Sequence, residues 1–162
     1  MSCFIYGYLE FLKEKDPVHV VGLVEALGVG LIIDNNTKLI NFPSQHLPSN
    51  VGFKLVFTIG TEPGTNDSTF LTWSGDLDPS TCGLIPSKRR DRIQLIADVF
   101  KLLVNYFEAE KIAVAITDSC QIERVTICKF STLNTYIAAD CEISSPPDVL
   151  YVATRDLQLV DR

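Results

Sequence analysis

The chain has 162 residues and a formal charge of −6 at pH 7 that is not concentrated in a tail. A chain of that length folding as one domain, residues 1–162, buries about 70% of its unfolded surface and needs no metal or disulfide to hold a core. The acidic balance argues against direct binding of nucleic acid, which requires a clustered basic surface, and favours a basic protein partner.

Taken in chain order, "CFIYGYLEF" (Cys3–Phe11) is apolar on both alternating faces and reads as an interior strand. The leading segment has no basic region, and Glu10 interrupts its apolar run, so it does not read as a signal peptide. A short helix is expected over about 17–27, with Asp16 as its cap, Pro17 in its first turn and Gly28 just past its end. "GLIIDNNTKLINF" places two apolar runs around Asn35-Asn36, which suits a tight hairpin. A Pro/Ser-rich loop carrying His46 follows. "FKLVFTI" and "TFLTWSG" then read as a second hairpin with a long polar tip, "GTEPGTNDS".

The clearest signal is an amphipathic helix over about 88–110. Ile93, Ile96, Phe100, Leu103 and Phe107 recur three or four apart, Val99 and Tyr106 broaden the stripe, and Asp91, Asp98, Lys101, Asn105 and Glu108 take the other side. Ser87 is its expected cap. Four of the chain's fourteen basic residues fall within Lys88–Arg92, where the helix N-terminus opposes positive charge. A solvated charge run accounts for them better than an anion site. Beyond the helix, "IAVAIT", "IERVTICKF", "TYIAADCE" and "VLYVAT" read as four strands at short spacing. The expected fold is therefore α+β: a mostly antiparallel, curved sheet packed on one long helix, with the short N-terminal helix beside it.

Chemistry-bearing motifs are sparse. "GVG" at Gly28–Gly30 lacks the third glycine of a dinucleotide fingerprint, and there is no phosphate loop. Asp76 and Asp78 stand two apart in "GDLDPST", but the continuation lacks the glycine and closing glutamate of a calcium loop. The five cysteines, Cys3, Cys82, Cys120, Cys128 and Cys141, are odd in number and include no C-x-x-C. They read as reduced thiols of a cytoplasmic protein, neither catalytic nor bound to metal. "ITDSCQIE" sets Asp118, Ser119 and Cys120 at a strand end, where a nucleophile would need His19 or His46 as its base. A plain turn explains the same residues. No run of eighteen apolar residues is present, so no membrane span is expected.

A strand-rich, acidic chain of this size, with one amphipathic helix and no catalytic motif, resembles the immunity proteins of bacterial toxin systems, those of contact-dependent growth inhibition in particular. The resemblance covers architecture and composition and carries over no family residue. It implies a non-enzymatic protein without cofactor that binds a cognate toxin domain, a basic nuclease, and masks it. Glu62 and Asp67 in the long hairpin tip, with Asp76 and Asp78 in the next connector, are the candidate partner-binding residues, because acidic side chains complement a cationic cleft. Two alternatives stand beside this reading: a small enzyme or ligand carrier with a pocket between helix and sheet, and an adaptor or structural subunit.

Overall fold

The computed structural model describes residues 3–34, 39, 41–59, 86–118, 121–144 and 147–156. Among them are six strands, β1 (Cys3–Phe11), β2 (Leu31–Asp34), β3 (Phe53–Ile59), β4 (Lys111–Asp118), β5 (Arg124–Lys129) and β6 (Val149–Thr154). Three α-helices accompany them: α1 (Val18–Glu25), α2 (Pro86–Phe107) and α3 (Phe130–Ile143). The strands form one open mixed sheet in the order β2-β3-β1-β4-β6-β5. Every pairing is antiparallel except that of β5 with β6. The α+β class is as the sequence implies.

β1 is the interior strand that its apolar faces call for, with β3 on one side and β4 on the other. Its alternate residues feed two cores. Ile5, Leu9 and Phe11 join Leu55, Phe57, Ile112, Val114 and Tyr151 on the face covered by all three helices. Tyr6 and Tyr8 join Val56, Leu150, Val152, Leu39 and Phe42 on the other face. There Tyr6 stands opposite Ala115 and Tyr8 opposite Ala113, so small residues on β4 make room for two large rings on β1. Phe42 lies over both, with centroids 5.6 Å from Tyr6 and 6.1 Å from Tyr8.

The expected helices are present. Val18 N–H donates to Asp16 Oδ1 at 2.9 Å, Pro17 already has helical torsions, and Gly28 takes φ 82° beyond the end of α1. In α2 the apolar stripe is buried at Ile96, Val99, Phe100, Leu103 and Phe107, while Asp98, Lys101, Asn105 and Glu108 are exposed. The helix begins at Pro86, so Ser87 lies inside its first turn and is not the cap. Its end comes at Phe107 rather than about residue 110. Glu108 adopts φ 50°, Ala109 N–H reaches Val104 O at 2.9 Å and Glu108 N–H reaches Asn105 O at 3.3 Å. This is a Schellman closure with glutamate where glycine is usual.

The left-handed conformation costs a non-glycine residue about 1–2 kcal/mol. Part of that is offset because glycine loses more chain entropy on folding, about 0.5–1 kcal/mol. Glu108→Gly is therefore expected to stabilise the protein by about 0.5 kcal/mol, measurable as a higher urea midpoint at unchanged slope. The main-chain acceptors survive the substitution. Arg155 Nη2 still donates to Glu108 O (2.8 Å) and Ala109 O (3.2 Å), beside its 3.5 Å ion pair with Glu110.

Three expectations need correction. "TYIAADCE" is not a strand: it lies within α3, whose buried positions Leu133 and Ile137, with half-buried Cys141, recur four apart. The fold thus carries a third helix, which links the parallel pair β5 and β6. Asn35-Asn36, the expected hairpin turn, lies outside the described residues, and the described part of "KLINF", Leu39, Asn41 and Phe42, belongs to no strand. β2 pairs instead with β3, and Phe42 N–H turns back to Leu39 O at 2.9 Å. Nor do residues 56–59 of β3 have an open edge for a hairpin with "TFLTWSG", since β1 and β2 occupy both sides. That second run lies outside the described residues.

Candidate interaction surface

Glu62, Asp67, Asp76 and Asp78 lie outside the described residues, as do Cys120 and the side chains of Asp118 and of Lys88–Arg92. His19 is exposed on α1, on the helical face of the sheet. His46 sits in a 3-10 turn at Ser44–His46, and its carbonyl accepts a hydrogen bond from Tyr8 on the opposite face. The two histidines are thus on opposite faces of the sheet and cannot share one site. Cys128 is buried at the core, as its place in β5 suggests, and burial pushes its thiol pKa upward. Among the described residues no group of three His, Cys, Asp or Glu side chains could hold a metal ion, and no helix is long and apolar enough to cross a membrane.

Two buried tyrosines anchor the polar interior. Tyr8 hydroxyl donates to His46 O, and Lys111 Nζ stands 5.4 Å from its ring. Burial, reinforced by nearby Glu10, holds its pKa far above the ordinary tyrosine value. Tyr151 hydroxyl donates to Asp140 Oδ2 at 2.8 Å, and Arg124 Nη2 pairs with Asp140 Oδ1 at 3.0 Å. Burial first, then the bond to Asp140, raises Tyr151 as well. This second network ties β6, α3 and β5 together. In both cases the tyrosine is a locked, neutral donor, suited to holding structure rather than exchanging protons.

A groove of about 350 Å³ runs between α2 and α3. Phe100, Val104, Phe130 and Leu133 supply its apolar lining, and Lys101, Asn105, Ser131 and Asn134 its polar groups. This groove lies between two helices, not between helix and sheet where the ligand-carrier alternative places its pocket. Sequence reasoning missed it because one of its walls is the helix read as a strand.

Among the described residues, α1 departs from ordinary surface chemistry. Val20 and Val24, four apart, are buried against the core. The outward side is also apolar: Val18 is 70% exposed and Leu23 47%, with Gly22 and Ala26 beside them and Leu27 exposed just past the helix. Only His19 and Glu25 interrupt it with polar groups. Among the described residues nothing lies within 4 Å of a side-chain position at Gly22, so the helix is open there. A surface helix ordinarily carries charge on its outer face, and an apolar one marks a contact site. The signal was present in "VHVVGLVEALG", which is apolar around the whole helical circumference rather than along one stripe. No family model, no curated protein and no solved structure matches the chain.

Proposed function

We propose that the chain acts by binding another protein, in the manner of an immunity protein that masks a cognate toxin domain. The observation that carries this reading is the open apolar side of α1, formed by Val18, Leu23 and Leu27. Burying such side chains against a partner contributes roughly 1.5–3 kcal/mol each, enough for a handful to dominate an interface. The net charge of −6 supports a basic partner, attracted over distance and then held by the apolar contact. In this reading Glu62, Asp67, Asp76 and Asp78 contribute to the approach: reversing their charges slows association at low salt and leaves folding nearly unchanged.

The test is Leu23→Glu combined with Ala26→Glu. Both positions are exposed, so the melting temperature should hold, with each change worth within about 0.5 kcal/mol. Co-expressed with any toxin domain found encoded beside its gene, the wild-type chain should restore growth and co-purify, and the double variant should do neither. A variant that protects as well as wild type would remove α1 from the interface. If no neighbouring domain is toxic or bound, the immunity reading itself fails.

The groove between α2 and α3 favours a second reading, a carrier of a small amphiphilic ligand, since its size falls within the range of ligand sites. Filling it with Val104→Trp would abolish a ligand-induced rise in melting temperature under that reading and leave partner binding untouched under the first.

A further inference from the structure

β5 is the last strand of the sheet. Its inner edge pairs with β6, and among the described residues no strand lies beyond its outer edge. The strand centre is Val125-Thr126-Ile127, all β-branched, and Ile127 is 63% exposed. An open edge of this composition is a template for another strand. Arg124 and Lys129 place a positive charge at each end, which disfavours indiscriminate pairing and selects a partner with negative charge at the right positions.

We infer that the partner is a second copy of the chain, paired antiparallel through β5 about a two-fold axis at Thr126. Symmetry narrows the choice. In a continuous sheet, paired residues point to the same face, so in a two-fold pairing a residue, not a peptide bond, must sit on the axis. With Thr126 on the axis, Arg124 stands opposite Cys128, Val125 opposite Ile127, and Glu123 opposite Lys129. Each of these pairs is made twice. The whole of β5 is used, exposed Ile127 covers half-buried Val125, and both ends of the ladder gain an ion pair. An axis at Val125 sets Lys129 opposite Gln121, and an axis at Ile127 sets it opposite Val125. Both lose the ion pairs, and the axis at Val125 also pairs fewer residues of β5 with one another. Lys129 Nζ rests on Thr154 Oγ1 at 3.2 Å, an exposed contact that it exchanges for Glu123 of the second copy.

This pairing fuses two six-stranded sheets edge to edge and does not depend on the reading of α1. The β2 edge, next to which α1 packs, lies at the far side of each sheet. A strand ladder alone is a small interface, so the dimer should dissociate on dilution.

Sedimentation of the full chain across a concentration series tests the inference. Wild type is expected to pass from monomer to dimer as concentration rises. Glu123→Lys and Lys129→Glu should each weaken the dimer about tenfold or more, by turning both ion pairs into like-charge pairs. The two changes together should return the affinity to within a few-fold of wild type. Ile127→Lys should give a monomer with an unchanged melting temperature. A wild-type chain that stays monomeric at several hundred micromolar overturns the proposal. So does a dimer that Glu123→Lys and Ile127→Lys leave intact, or a double charge exchange that restores nothing. Glu123 precedes the strand and is exposed, so its variant keeps the test open even if Lys129→Glu fails to fold.

Discussion

Gly7→Ala is expected to cost more than about 3 kcal/mol and to leave much of the expressed chain unfolded at 37 °C. Gly7 lies at the middle of β1, paired with Phe57 on one side and Val114 on the other. A side-chain carbon there would stand 1.9 Å from Ala113 O and 2.8 Å from Val114 Cα. Both are backbone atoms of β4, so no rotamer change relieves the clash. The two strands must separate, and with them the hydrogen-bonded ladder that joins the halves of the sheet. Glycine in a strand interior ordinarily weakens it, and here close backbone approach is the compensating reason for its presence. Gly22→Ala is the control: its new methyl meets nothing within 4 Å and replaces glycine in a helix, so it should be neutral or stabilise by up to about 1 kcal/mol. Urea denaturation of the two variants decides the matter. Equal midpoints would show that the β1–β4 contact has slack.

The second large effect is alkaline instability centred on Tyr8 and Tyr151. Both hydroxyls lose protons far more readily in the unfolded chain, whose tyrosines titrate near 10. Their folded pKa values are raised, so their contribution is fully present below pH 10 and declines as pH rises above it. Each tyrosine removes about 1.4 kcal/mol per pH unit beyond that point, and the pair close to 3 kcal/mol by pH 11. Tyr151→Phe should roughly halve the alkaline slope while costing about 1 kcal/mol at pH 7, the value of one hydrogen bond. Asp140→Ala should cost more at pH 7, about 2–3 kcal/mol, because it leaves the Tyr151 hydroxyl buried without its acceptor. Arg124 adds little to that figure, since its side chain is 55% exposed and water takes over from the lost carboxylate. An alkaline slope unchanged in Tyr151→Phe would mean that this hydroxyl does not govern the transition.

Which parts of this fold were legible in the sequence follows from where their determinants lie. β1, β4 and β6 are dense apolar runs bounded by polar or turn residues, and α2 displays its stripe over about four turns, so local reading suffices. α3 was not legible. β5 passes into it between Lys129 and Phe130 with no glycine, proline or Asx residue to mark the change. Thr132, Thr135, Tyr136 and Ile137 give its first half the composition of a strand. Its N-terminus is satisfied partly by Thr132 and partly from afar, where Asp156 Oδ1 accepts from Ser131 N–H at 3.4 Å, twenty-five residues on. A cap supplied from another part of the chain leaves no mark in the local pattern. The apolar side of α1 is a different case. Its residues were visible, but only the packing of Val20 and Val24 tells which side faces inward and hence that the other faces solvent.

The central position of β1 also has a bearing on synthesis. Of the described strands it is made before the others, yet its two neighbours arrive late: Ile5 pairs with Ile59, and Cys3 with Asp118. The β5–α3–β6 unit, by contrast, is complete within residues 124–154. Since contacts between distant residues must overcome the greater loop-closure entropy, this unit, made after the other described elements, is the one best placed to form first. A strand with two apolar faces then waits for its second neighbour until about a hundred further residues have been added. Nascent β1 is thus the segment most dependent on chaperones, and slowing translation before residue 118 should increase aggregation rather than relieve it.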